Sequence, residues 1–229
     1  MSVVVIPARG GSKRIPRKNL RDFHGRPIIA WSIEAALSSK SIERVVVSTD
    51  DAEIASAARR LGAEVPFVRE ASLSDDHATT IEVIRDAVAR MELHLQTAVC
   101  CLYPTAPMVT AHDIEDGLEA LVRSGASFAF PAVDLGVKTE RAYRVRGDRL
   151  IPVNPEMMPL RSQELEAAYF DAGQFYWARA AEWLDGSMQI WDQATLGPIQ
   201  REKVQDIDTE EDWLRAERQF AQLKAAGQI

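Results

Sequence analysis

Near the N-terminus the apolar run Val3 to Ile6 opens into Pro7-Ala8-Arg9-Gly10-Gly11-Ser12-Lys13-Arg14-Ile15-Pro16-Arg17-Lys18-Asn19, a loop rich in glycine and strongly basic. Five cations lie between Arg9 and Lys18 in a chain whose formal net charge is −7, so the loop is a local positive field suited to a polyanion. Gly10, Gly11 and Ser12 allow the backbone to approach a phosphate chain and turn N–H groups toward it. Such a loop directly after the first strand lies where open α/β sheets place their ligands, and it reads as a cradle for a nucleoside triphosphate. It is neither a Walker A loop nor a dinucleotide fingerprint, since G-x-x-x-x-G-K-[ST] and G-x-G-x-x-G are both missing. Far downstream, Asp206 and Asp208 flank Ile207. In an extended segment both carboxylates project to one face, where two hard oxygen ligands can hold Mg²⁺, with Mn²⁺ as a substitute, alongside substrate phosphates. The competing reading is that Asp208 caps the last helix with Glu211 completing a capping box, leaving Asp206 at the surface.

These residues need a scaffold, and the hydrophobic pattern supplies one. Val3 to Ile6 reads as a strand, Pro27 to Leu37 as a helix, Arg44 to Ser48 as a strand and the residues after Asp51 as a helix stopped at Gly62. Ala63 to Val68 reads as a short third strand and Thr79 or Thr80 to Met91 as a helix. Ala98 to Tyr103 is a continuous apolar run of the kind found inside parallel sheets, followed by a helix over Ala111 to Arg123 and a strand over Ser127 to Pro131. This repetition predicts an α/β fold, a doubly wound, mostly parallel sheet with right-handed crossovers. From about residue 132 to 169 the pattern turns irregular, with a hairpin around Gly147-Asp148, so the chain reads as one domain over 1–229 carrying a small inserted arm. Gly173 to Trp177 and Val204 to Asp208 read as further strands and Thr209 to Ala226 as a closing helix.

Composition limits the function classes. A length of 229 residues with 46% hydrophobic content suits a well-buried globular protein. No apolar run is long enough to span a membrane and no secretory leader pattern precedes the first strand, so the expected location is the cytoplasm. Cations confined to one short loop argue against nucleic-acid or anionic-membrane partners. The adjacent Cys100 and Cys101 point to opposite faces of a strand and read as core. His24, His77, His94 and His112 show no metal-ligand spacing.

The motif I-P-A-R-G-G-S-K-R-x-x-x-K-N resembles the signature of the sugar-activating cytidylyltransferases, which make CMP-sialic acid and related CMP-sugars, and the resemblance runs nearly end to end. It implies a Rossmann-like nucleotidyltransferase fold of the nucleotide-diphospho-sugar transferase type. Ala8, Arg9, Gly10, Gly11, Ser12, Lys13, Lys18 and Asn19 then hold the nucleotide, with Arg9, Lys13 and Lys18 on the triphosphate and leaving pyrophosphate. Arg69, followed by Leu73-Ser74-Asp75-Asp76-His77-Ala78-Thr79-Thr80, matches the place where the family recognises the pyrimidine, which carries over to Arg69, Ala78 and Thr80. Tyr103-Pro104-Thr105 resembles the loop beside base and sugar. The acceptor side falls on Gln163, Tyr169, Asp171, Gln174 and Phe175, with a ligand role for at most one of Phe175 and Tyr176. The stretches R-S-Q-x-L-E, D-A-G-Q-F-Y-W and V-Q-D-I-D-T-E-E-D-W look like the pseudaminic acid branch of the family.

The resemblance implies attack of a nine-carbon α-keto acid sugar's anomeric hydroxyl on the α-phosphorus of CTP, with Mg²⁺ on Asp206 and Asp208 and no covalent enzyme intermediate. It also implies a homodimer paired through the arm, with Lys138, Arg141 or Arg161 reaching the neighbouring site. Sialic, legionaminic or deoxyoctulosonate sugars are the rival acceptors, and a non-catalytic nucleotide-binding relative is the rival from another class.

Overall fold

The computed structural model describes all residues from Met1 to Ile229. Its main sheet is built on β1 (Ser2–Pro7), β4 (Arg44–Ser48), β5 (Ala98–Leu102), β6 (Phe128–Asp134), β10 (Phe175–Arg179) and β11 (Ala194–Gly197), in the spatial order β11-β6-β10-β5-β1-β4. A short β9 (Tyr169–Asp171) adds to β6. β1 runs parallel to β4 and β5, and β11 runs parallel to β6, whereas β10 is antiparallel to both its neighbours. Two two-residue strands, β2 (Asp22–Phe23) and β3 (Arg26–Pro27), form a small separate ladder.

Alternation along the central strands sorts side chains to two covered faces. Val4, Ile6, Val45, Val47, Cys100 and Leu102 pack beneath α1 (Ile29–Ser38), α2 (Ala52–Arg60) and α4 (Ala111–Ser124). Val3, Val5, Val46, Val99 and Cys101 face α3 (Thr80–Arg90) and α5 (Ala180–Leu184), with Trp183 between. The sheet is therefore doubly wound. The two thiols lie on opposite faces, and burial pushes both up in pKa, so neither is a nucleophile at neutral pH.

One tight contact shows how closely α4 sits. A Cβ built on Gly117 lies 2.5 Å from Phe175 Cε2 and 3.0 Å from Trp177 Cδ1. Gly117→Ala gains about 1 kcal/mol of helix propensity but overpacks two aromatic rings at about 1–3 kcal/mol. A net loss of stability in a urea unfolding curve is the expected result.

A third apolar cluster bears most directly on function. Ile15 from the basic loop, Phe23, Ile28 and Met108 pack with Ile207, Trp213, Ala216, Phe220 and Leu223, the last four of which lie on or beside α6 (Glu210–Ala225). Ile15 and Ile207 are both fully buried there. The apolar residue inside the basic loop and the one between the two aspartates thus enter the same cluster, which brings the two ends of the chain together.

Two expected strands are absent. Ala63 to Val68 makes only isolated parallel bridges, Val46 with Glu64 and Thr49 with Val68, and Val204 to Asp208 runs without a partner strand. The latter keeps the alternation of an extended segment, Ile207 inward between more exposed aspartates, because the apolar cluster holds it instead of a ladder. The irregular stretch holds the hairpin β7 (Tyr143–Arg146) and β8 (Arg149–Pro152), whose Tyr143, Val145, Leu150 and Ile151 side chains are exposed.

Candidate active site

β1 ends at Pro7 and the basic loop begins with Ala8, which is buried and donates its N–H to the Ser48 carbonyl at 2.9 Å. Gly10 donates to Asp50 Oδ1 at 3.0 Å, and a Cβ there lies 2.7 Å from Asp51 Oδ2. Gly10 is therefore needed for its contact with the N-terminus of α2, where Asp51 caps Glu53 and Ile54, and its N–H is committed to protein. Gly11 is unencumbered. Asn19, also buried, donates to the Arg9 carbonyl at 3.0 Å and closes the loop from inside.

Four of the loop's five cations point to two carboxylates, Asp76 and Asp208, while Arg17 pairs with Asp51 and Glu53 at the start of α2. Arg9 Nη1 donates to Asp76 Oδ1 and to the Asp75 carbonyl, both at 2.8 Å, and Lys13 Nζ bonds Asp76 Oδ2. These bonds, Lys13 first and Arg9 second, hold the Asp76 carboxyl below the usual range. Asp76, the matched motif residue with no assigned role in the sequence, thus ties two loop cations to the segment before α3. Arg14 Nη1 lies 2.9 Å from Asp208 Oδ2, Lys18 Nζ 3.5 Å from Asp208 Oδ1, and Lys18 donates to the Ile207 carbonyl at 2.6 Å. The N-terminal cations and the late acidic pair are therefore neighbours. Arg9, Ser12, Lys13, Arg14, Lys18 and Asn19 line a cavity of about 400 Å³ with Asp76.

Asp208 is not the cap of α6. Thr209 holds that position, accepting from Asp212 N and reciprocated by the Asp212 carboxylate, so both late aspartates are released from capping. Desolvation first, and the Asp208 charge second, push the Asp206 carboxyl up. Two carboxylates that crowd each other beside a basic loop fit a divalent cation that takes its other oxygens from water and phosphate. No group of three or more His, Cys, Asp or Glu that could form an all-protein cage occurs.

A second cavity, about 210 Å³, adjoins the loop and is lined by Pro7, Arg9, Arg69, Leu73, Asp75, Asp76, Ala78, Thr80, Val83 and Tyr103. Arg69 is buried, its Nε donates to Ser74 Oγ at 3.1 Å, and its Nη2 has no hydrogen-bond partner, lying 3.6 Å from Asp50 Oδ1. Burial is the largest influence on this guanidinium and lowers its pKa. A buried, incompletely bonded donor in a small cavity is a group built to meet a ligand acceptor. Thr80 Oγ1 lies 3.0 Å from the Tyr103 hydroxyl, whose pKa burial raises to about 12. Pro104 is buried and Thr105 half-buried in the turn after β5, and neither lines these cavities.

The rings of Tyr103 and Tyr176 meet edge to face at 5.7 Å. Beyond them lies an apolar cavity of about 720 Å³ lined by Phe130, Tyr169, Asp171, Tyr176, Trp191 and Leu196, among others. Tyr176 donates its hydroxyl to Asp171 Oδ2 at 2.7 Å. Phe175 does not reach this cavity. It is fully buried on the opposite face of β10 against α4, because alternation places Phe175 with Trp177 and leaves Tyr176 facing the cavity. Gln174 is also buried, with Nε2 donating to the Ala172 carbonyl and Oε1 unpartnered. Gln163 is exposed on a 3-10 turn of the arm and lines none of the three cavities. Lys138 donates to the Glu166 carbonyl at 3.2 Å and Arg141 to that of Leu160, so both brace their own arm, while exposed Arg161 offers its backbone N–H to Glu164. Of the aromatic pair on β10 it is Tyr176 that faces the cavity, whereas Trp191, Asp50 and Arg14 are site residues that the sequence pattern did not single out; only Arg14, a cation of the loop, had a visible signal.

Helices on both faces of a mostly parallel sheet thus carry a basic cleft at the end of β1 that an acidic segment closes. Residues 3–222 match the family model described as cytidylyltransferase, and the chain belongs to that family. It is 38% identical over 214 residues to a pseudaminic acid cytidylyltransferase of Campylobacter jejuni subsp. jejuni, covering 92% of each chain. It is 31% identical over 228 residues to a CMP-N,N'-diacetyllegionaminic acid synthase of Legionella pneumophila, covering 94% of each. The fold is also that of CMP:2-keto-3-deoxy-manno-octonic acid synthetase, solved in complex with CTP, with a TM-score of 0.67 at 22% identity over 96% of this chain and 98% of the other. No helix is long and apolar enough to cross a membrane.

Proposed function

We propose that the chain transfers CMP from CTP to the anomeric hydroxyl of a nine-carbon α-keto acid sugar, pseudaminic acid, and releases pyrophosphate. The observation that carries the reading is the meeting of Arg14 and Lys18 with Asp208, which sets opposite charges from distant parts of the chain around one cleft. Arg9, Lys13 and Lys18 exchange their carboxylate partners for triphosphate oxygens and neutralise charge on the departing pyrophosphate. Arg69 meets the pyrimidine in the small cavity that Ala78 and Thr80 complete. The acceptor occupies the larger cavity across Tyr103 and Tyr176, whose apolar walls suit deoxy and acyl groups better than a fully hydroxylated sugar.

Asp206 and Asp208 are the residues that would hold Mg²⁺. When bound, that ion offsets charge on phosphate oxygens and lowers the pKa of a nearby hydroxyl. The exposed apolar hairpin β7–β8 supports a homodimer formed through the arm, with Arg161 the best placed of Lys138, Arg141 and Arg161 to reach a second subunit. A cytoplasmic location is in keeping with CTP as substrate.

The test is product formation from CTP with separately purified pseudaminic, legionaminic, sialic and deoxyoctulosonic acids, followed by mass spectrometry. A CMP-sugar and pyrophosphate in equal amounts are expected, with kcat/KM highest for pseudaminic acid. A higher kcat/KM for the polyhydroxylated deoxyoctulosonate would overturn the acceptor assignment.

A further inference from the structure

Asp206 and Asp208 lie on a segment that has no strand partner, so something other than a ladder must set their direction. One anchor is downstream of Asp206: Ile207 is buried in the apolar cluster and its carbonyl accepts from Lys18. The other is upstream. Lys203 ends the 3-10 turn Arg201–Lys203, three residues before Asp206, and its ammonium donates to both oxygens of Asp113 at 2.9 and 2.8 Å. Both side chains are 8% exposed. Asp113 is itself fixed, because its Oδ2 accepts from Thr110 N at 2.8 Å and Thr110 Oγ1 at 2.6 Å as the capping box of α4. That helix is locked to the sheet through Ile114, Gly117 and Leu121, and its Ile114 carbonyl accepts from Trp177 Nε1.

Lysine is almost never buried without a partner, and a buried ion pair is weak evidence for stability, since an apolar pair of similar volume often serves as well. What the pair does supply is one orientation. It joins a segment without a strand partner to a helix that is capped and packed on the sheet, at a point where slippage by a residue would turn both aspartates away from the loop.

We propose that Lys203 is a positioning residue: through Asp113 it fixes the acidic segment on the start of α4 so that Asp206 and Asp208 face the basic loop. This rests on the reading of those two aspartates as the metal and nucleotide ligands. The test pairs Lys203→Met with Asp113→Asn, which removes both charges while the asparagine keeps the helix cap. Mn²⁺ binding in the presence of CTP is followed by electron paramagnetic resonance, alongside thermal unfolding and steady-state kinetics. The double variant is expected to melt within a few degrees of the parent, bind Mn²⁺ about tenfold more weakly and lose about tenfold in kcat at unchanged acceptor KM. Lys203→Arg, which keeps the charge pair, restores most of both. Should the double variant fail to fold, Lys203→Gln must show the same loss of Mn²⁺ affinity. Parental Mn²⁺ affinity in a folded variant overturns the proposal. Asp206→Asn is the control: if it leaves Mn²⁺ affinity intact, the ligand reading falls and the proposal with it. If it abolishes binding while the Lys203 variants do not, only the positioning role falls.

Discussion

Asp206→Asn is expected to lower kcat by roughly 10² to 10³, the usual cost of removing one preorganised charged group from a transition state that develops charge. The residue is solvent-accessible and makes no side-chain bond that holds the fold, so the circular dichroism spectrum and unfolding midpoint should stay near those of the parent. Asp208→Asn carries a distinguishing signature. Asp208 pairs with Arg14 and Lys18, and its neutralisation frees both cations for the triphosphate. Its kcat should fall as in the Asp206 variant while KM for CTP stays level or drops. Steady-state kinetics with CTP varied at saturating acceptor separates the two effects. Unchanged turnover in both variants would remove the acid pair from the mechanism.

Arg69→Met is the second large effect, and it separates activity from stability. The guanidinium is buried with Nη2 lacking a hydrogen bond, so its replacement removes a poorly satisfied polar group and loses the bond to Ser74 and the 3.6 Å ion pair with Asp50. Asp50 remains bonded to Gly10 N. Stability is expected to stay within about 1 kcal/mol of the parent. Discrimination should not survive, because a site built to hydrogen-bond one base rejects another largely through buried groups left unpaired. The ratio of kcat/KM for CTP over UTP is expected to drop by roughly 10². Retention of that ratio would place base recognition elsewhere.

Much of the scaffold was legible because alternation and helical spacing report burial directly. The first loop was legible for another reason: its cations and glycines follow a strand in a chain that is otherwise acidic. The failures have physical causes. β10 is buried on both faces, so Phe175 and Tyr176 look alike in composition and the phase of the strand is hidden until α4 is seen packing on Phe175. The cap of α6 was degenerate, since Asp208 with Glu211 and Thr209 with Asp212 both satisfy the pattern, and only the fold selects the second. Val204 to Asp208 has the pattern of a strand but no neighbour to pair with. β11 and the residues around Trp191 are short, and their role depends on β6 lying beside them, which no local pattern reveals. The convergence of the two chain ends was expected from charge, whereas its mechanical cause, Ile15 and Ile207 in one apolar cluster, shows only in three dimensions.

If the proposed function holds, the basic loop and the late acidic pair grip one metal-bound CTP. Crystals grown with CTP and Mn²⁺ and measured at the manganese edge test it most directly. An anomalous peak is expected within about 2.0–2.3 Å of a carboxylate oxygen of Asp206 or Asp208 and of a CTP phosphate oxygen, with Lys13 and Lys18 on the same triphosphate. A manganese site on the nucleotide with both aspartates out of reach would contradict it.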